Sequence, residues 1–295
     1  MGTQAEAGPW RFWRRPGRDP GQESARARVP AEAVSPGDES LGGFLVLLVA
    51  LSLPWWLFGG RRLPLAVDLP VSALISLNPA IAAGILTYRR GGSRGLQGLL
   101  SRAFDHRRIG DKGWYVPILL LNPLIFLLSY WIMRLTRQPL PDPVVPLRLV
   151  PVYFVLFFPF AVGEELGWMG YAIRPAQRRW GALGAGLGLG AIWAVWHLIG
   201  DVQVGNSASW ILWHRLGTVG LRVLIVWLYN NTGGSVFAAV LFHDLNNVSW
   251  ALFPNNASHY NPFITALLVL AAAATVTAIW GPRTLAGRGR VRQRP

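Results

Sequence analysis

Two adjacent glutamates, Glu164 and Glu165, close a run from Leu149 to Ala161 that is otherwise apolar enough to cross a bilayer. Each carboxylate in such a run costs roughly 2.5–3.5 kcal/mol of insertion free energy, so the pair needs a partner, a wet cavity or a chemical task. Beyond Asp142 the chain carries only four acidic residues, Glu164, Glu165, Asp201 and Asp244, each inside or at the end of an apolar run. The histidines of this half are His197, His214, His243 and His259. Three clusters emerge: Glu164-Glu165, Trp193 through His197, and His243 through Asn247. Residues four apart are neighbours on a helix, so Trp193 and His197 share one face and His243 and Asn247 another. The two glutamates diverge by about 100° around the axis. One is therefore expected to react and the other to orient it.

Taken singly, an intramembrane histidine or asparagine is commonly a hydrogen-bonding group between helices. Two glutamates, two histidines and an asparagine on three helices supply more: an acid/base, metal-ligand chemistry and an oxyanion donor. Hydrolysis fits that set. A buried carboxylate can take a proton from water, or a glutamate with two histidines can hold a divalent cation such as zinc that activates the water. Both routes stay open. There is no His-Glu-x-x-His, so any metal site has to be assembled between helices.

The elements that position these groups are membrane helices. Of the 295 residues 52% are hydrophobic and only 14% charged, well short of the charge a soluble chain carries. The 15 tryptophans suit interfacial belts. With no cysteine, disulfides, thiolate catalysis and cysteine-ligated zinc are excluded. The net charge of +14 reads as a topology signal rather than a nucleic-acid footprint, because the arginines sit in tails and short loops.

Residues 1–40, rich in Pro, Gly and Arg, are expected to form a disordered cytoplasmic tail, and 281–295 a second basic one. Between them, apolar runs at about 41–59, 68–88, 114–133, 149–172, 181–200, 210–229, 234–252 and 262–280 are each long enough for one crossing. This predicts an all-α polytopic protein of eight transmembrane helices with both termini cytoplasmic. Asp68, Pro70 and Pro79 interrupt the second run, and losing it would leave seven helices. In that orientation the cytoplasmic segments hold 21 Arg or Lys and the external loops five. Arg215 and Arg222, seven apart on the sixth run, complete the count. The pairs Gly184/Gly188 and Gly186/Gly190 allow close helix approach, which would put the fifth helix at the bundle centre. These boundaries set Glu164 and His197 at different depths.

In order and in helical context, the clusters resemble the CPBP family of intramembrane proteases, which includes type II CAAX prenyl proteases and bacteriocin-processing or immunity proteins. Its Glu-Glu-x-x-x-Arg motif is matched by Glu164-Glu165-Leu166-Gly167-Trp168-Met169 except at the arginine. Its aromatic-x-x-x-His is matched by Trp193 to His197, and its His-x-x-x-Asn by His243 to Asn247. The resemblance implies Glu164 as catalytic base with Glu165 as its partner, His197 binding or activating water, and His243 and Asn247 holding metal or oxyanion. The metal ligands would then be Glu164, His197 and His243. The substrate would be a membrane-associated peptide, prenylated or leader-bearing, and the location a bacterial plasma membrane. Met169 stands where an arginine would pair with Glu165; its absence leaves Glu165 more protonated or calls for a substitute from another helix, Arg215 or Arg222. The other reading of those two is that they snorkel near opposite interfaces. Arg174 is close in sequence but lies past the end of the run. An inactive member acting as an immunity or scaffold protein is the alternative; a Glu/His proton-relay transporter is a third reading, disfavoured because no internal repeat is visible.

Overall fold

The computed structural model describes residues 40–59, 71–142, 145–254 and 257–287. Most of the N-terminal tail, residues 1–39, and the end of the C-terminal one, 288–295, fall outside the described residues. Helices α1 (Leu41–Phe58), α2 (Asn78–Ser101), α3 (Tyr115–Leu135), α4 (Val150–Gly167), α5 (Ile173–Gln203), α6 (Ala208–Asn231), α7 (Val236–Leu252) and α8 (Pro262–Trp280) account for all eight apolar runs, and no strand occurs among the described residues. Among the described residues, five helical segments are long and apolar enough to cross a membrane. One of them, Leu147–Gln203, has 57 residues and would measure about 85 Å if straight, far more than one crossing needs. It folds back instead: Glu164 and Trp193, 29 residues apart, are hydrogen-bonded. This is an all-α polytopic membrane protein.

Three boundaries differ from the sequence expectation, each for a local reason. Pro79 does not break the second run; it occupies the first turn of α2, where a missing N–H costs nothing. A 3₁₀ segment, Val71–Leu77, leads into it, and Gly92 (φ 58°) bends the chain before the Arg94–Ser101 stretch. Residues 173–180, expected as a loop, are helical, continuous with α4 through a π-helical turn, Trp168–Ala172. The reversal falls at Gly181, whose φ of 69° is open to glycine and strained for other residues. The amides freed there are not left unpaired: Ala182 and Leu183 donate to the carbonyls of Arg283 and Pro282.

The centre of the bundle belongs to α6 rather than α5: from Gly220 to Asn231 every residue of α6 is buried. α6 packs against α5 and α8, while α4 packs against α2 and α7. The two glycine pairs of α5 divide the work. A Cβ on Gly190 would sit 3.0 Å from the Val219 Cα and 3.1 Å from the Arg222 Cβ, so this stripe sets how closely α6 approaches. Gly184 and Gly188 instead accommodate the Trp180 indole.

Candidate active site

The π turn begins at Trp168, three residues after Glu165, and such insertions in α-helices are frequent at functional sites. Glu165 and Arg222 are both fully buried. The Arg222 Nη1 donates to Glu165 Oε2 at 2.6 Å, and His243 Nδ1 lies 2.8 Å from Glu165 Oε1. A carboxylate only accepts, so His243 carries its proton on Nδ1 here. The guanidinium also lies over the Trp193 ring at 4.1 Å and the Trp168 ring at 5.8 Å. Arg222 thus brings to Glu165, from α6, the positive charge that Met169 does not supply from the π turn that follows α4. Arg215 is engaged elsewhere, donating from Nε and Nη2 to Asp201 at 2.5 and 2.6 Å. Arg174 lies beside Tyr229.

Glu164 has a different environment. Its Oε2 accepts from the Trp193 indole Nε1 at 2.5 Å, and its Oε1 lies 3.9 Å from His197 Nε2. His197 Nδ1 faces the Trp193 carbonyl at 3.0 Å; that oxygen can only accept, so the proton is on Nδ1 and Nε2 is left with a lone pair. The 3.9 Å gap is too long for a hydrogen bond and suits a bridging water. With both arms at about 2.8 Å, such a water would subtend roughly 90° between the two groups. Glu164 and His197 therefore meet at one level, although the run boundaries placed them apart. The difference is that α5 continues to Gln203, which moves His197 inward from the helix end.

These groups line a cavity of about 590 Å³ whose walls include Glu164, Trp193, His197, His243 and Asn247. Glu165 is not among its lining residues, so the adjacent glutamates face the cavity and its supporting wall respectively. All five residues singled out in the sequence come together at this place. Sequence reasoning did not anticipate the Trp193 indole as a donor to Glu164, the Asp201–Arg215 pair in the cavity wall, or the contact of His214 Nδ1 with the Tyr260 hydroxyl at 3.2 Å. The remaining acid, Asp244, is fully buried and absent from the lining.

Glu164, His197 and His243 do not form a ready metal site. Among the described residues no group of three His, Cys, Asp or Glu is placed to hold a metal ion. Glu164 and His197 offer two converging donors, whereas a catalytic zinc takes three protein ligands and an open position. The His243 Nδ1 and both oxygens of Glu165 are already committed to each other and to Arg222.

The family model for the type II CAAX prenyl endopeptidase Rce1-like proteins matches residues 146–249, a stretch that contains the glutamate pair, His197, Arg222, His243 and Asn247. A CAAX prenyl protease 2 from Methanococcus maripaludis is 26% identical over 218 residues, covering 67% of this chain and 77% of that protein. Over the stretch that holds the glutamate pair, His197, His243 and Asn247, the chain is thus similar to the type II CAAX prenyl endopeptidases.

Proposed function

We propose that this chain is an active endopeptidase that hydrolyses a membrane-associated peptide through a water held by Glu164 and His197. The observation that carries the reading is the Glu164 Oε1 to His197 Nε2 spacing of 3.9 Å at the wall of a cavity. A water bridging the two gives its protons to acceptors on both sides, so a lone pair is aimed into the cavity. Glu164 takes the proton as the oxygen attacks the scissile carbonyl, then returns it to the leaving amine. The Trp193 N–H holds the carboxylate in place and supports its charge. Glu165 and Arg222 fix the His243 ring, and the Glu165 carboxylate on its Nδ1–H favours the imidazolium, whose second proton on Nε2 is, with the Asn247 amide, suited to stabilise the oxyanion. No step requires a metal, and the two-donor geometry supports a route through the carboxylate itself.

An inactive, scaffold-type member would have no use for a carboxylate paired with a histidine at a cavity wall while its neighbour is neutralised from another helix. The deciding experiment is Glu164→Gln, assayed in detergent against a panel of internally quenched peptides with a C-terminal prenyl group or an N-terminal leader. The glutamine keeps the Trp193 contact but cannot accept the water's proton. Cleavage is expected to fall at least a thousandfold with the unfolding temperature held. Unchanged cleavage by the variant would defeat the proposal.

A further inference from the structure

The two ends of the bundle differ in charge and in closure. The stretch from Arg89, midway along α2, to Lys112, just before α3, carries seven basic residues. It meets the other basic segments at one end: Arg102 donates to the carbonyls of Gly170 and Gly234, and Arg108 to that of Gly233. The turn at Gly181, following Arg174, Arg178 and Arg179, is stitched to Arg283 through the Ala182 amide. Hydrogen bonds close this end. Asp105 accepts from Ser235 and from the Phe237 amide at the start of α7. Asn230 and Asn231 donate to the carbonyls of Thr284 and Leu285.

The cavity has no lining residue from that closed end. Its outer walls are Val204 and Asn206 in the α5–α6 connection, Trp210 at the start of α6, Trp250 near the end of α7, and Tyr260 before α8. Val204 is 50% exposed and Trp250 37%, whereas Glu164 and His243 at the inner wall are each 4% exposed. The mouth therefore lies at the arginine-poor end, which among the described residues from the last turn of α3 to the start of α4 carries Arg134, Arg137 and Arg148. Short basic loops stay on the cytoplasmic side when a polytopic chain inserts.

Resting on the protease reading above, we infer that the catalytic cavity opens on the non-cytoplasmic face and that the substrate is an already translocated, membrane-bound segment. The walls match that substrate. Phe126, Phe157, Phe160 and Trp250 present rings, and the Asp201–Arg215 charges neutralise each other, so an extended apolar segment meets no unpaired charge at the entrance.

The chain has no cysteine, so every introduced thiol is the only one. Ser209→Cys and Ser258→Cys place it on exposed residues at the mouth end, and Ser101→Cys on an exposed residue at the basic end. In intact cells, a membrane-impermeant maleimide should label the first two variants at least tenfold more than the third. Ser101→Cys should label only after permeabilisation. The reverse pattern, or equal labelling of all three in intact cells, overturns the inference. In the same cells, new protein termini that depend on Glu164 should map to non-cytoplasmic segments beside membrane anchors; termini in cytoplasmic segments overturn the substrate assignment. The labelling does not depend on catalysis. If it follows the expected pattern while no Glu164-dependent termini form, the protease reading fails and the orientation stands.

Discussion

Replacing Arg222 with methionine removes the positive charge from Glu165 while keeping most of the volume between α4, α5 and α6. The arginine and its carboxylate are fully buried and 2.6 Å apart, so solvent cannot take over the lost contact. Removing one partner of a buried pair costs about 3–5 kcal/mol, because the other charge stays desolvated. The guanidinium's position 4.1 Å over the Trp193 ring adds about 1–2 kcal/mol that methionine recovers only in part. His243 still holds Glu165 Oε1, which places the expected loss at the lower half of the range. For Arg222→Met we expect destabilisation of about 3 kcal/mol and, as His243 loses its fixed orientation, a fall in cleavage rate of about a hundredfold. Both are measurable in detergent, from tryptophan fluorescence on heating and from peptide cleavage. The double variant Met169→Arg/Arg222→Ala then returns the charge to α4, into space that the alanine vacates. It should regain at least tenfold of the lost rate. If Arg222→Met unfolds at the parent temperature and cleaves within threefold of the parent rate, Glu165 needs no countercharge and the reasoning is wrong.

Trp193→Phe deletes the N–H donated to Glu164 and keeps a ring under Arg222. Losing a charge-assisted hydrogen bond of about 1.5–3 kcal/mol should lower kcat some ten- to a hundredfold with little change in thermal stability. Gly190→Ala pushes a methyl to 3.0 Å from the Val219 backbone and should cost about 1–3 kcal/mol of stability. Gly188→Ala meets only the outer ring atoms of the part-exposed Trp180, which can shift, and should cost less; equal losses would argue against the α5–α6 contact as the critical one. Dialysis against a strong chelator should leave the cleavage rate within twofold, and loss of activity restored by zinc would show that a metal completes the Glu164–His197 pair.

Among the described residues hydropathy was sufficient to locate the eight α-helices, though not the late start of α2 at Asn78, because each apolar run is long and most breaks between runs carry charge or proline. It could not show where the chain stays helical outside the apolar core. Residues 173–180 are polar enough to resemble a loop, yet they continue a helix whose π turn leaves no mark in composition. The candidate site residues were legible because carboxylates are scarce in this half, so each one has to be accounted for. Their partners were less so. An indole N–H looks the same in sequence whether it faces lipid, as many tryptophans do, or a carboxylate, as Trp193 does. Asp201 and Arg215 lie near the facing ends of two consecutive runs, a placement that signals a pair only once the short connection between them is known to fold back. For Arg222 the signal had two parts: a charge within a buried apolar run, and a methionine where Glu165 should find its cation.

That relocation changes what the site depends on. An arginine one turn along α4 would neutralise Glu165 within a single helix, however its neighbours packed. Here the charge arrives from α6, and Glu165 joins α4 to α6 through Arg222 and to α7 through His243. The reach of Arg222 is set by the α5–α6 contact, whose tightness rests on Gly190 against Val219 and on Gly186 against Val223. The same α5 contact carries Trp193, which holds Glu164 with its N–H and lies against the guanidinium with its ring. The two glutamates therefore acquire their different environments from one helix interface rather than from their own helix. A loosened α5–α6 contact should accordingly impair both at once, so that Gly190 substitutions lower cleavage by more than the stability loss alone predicts.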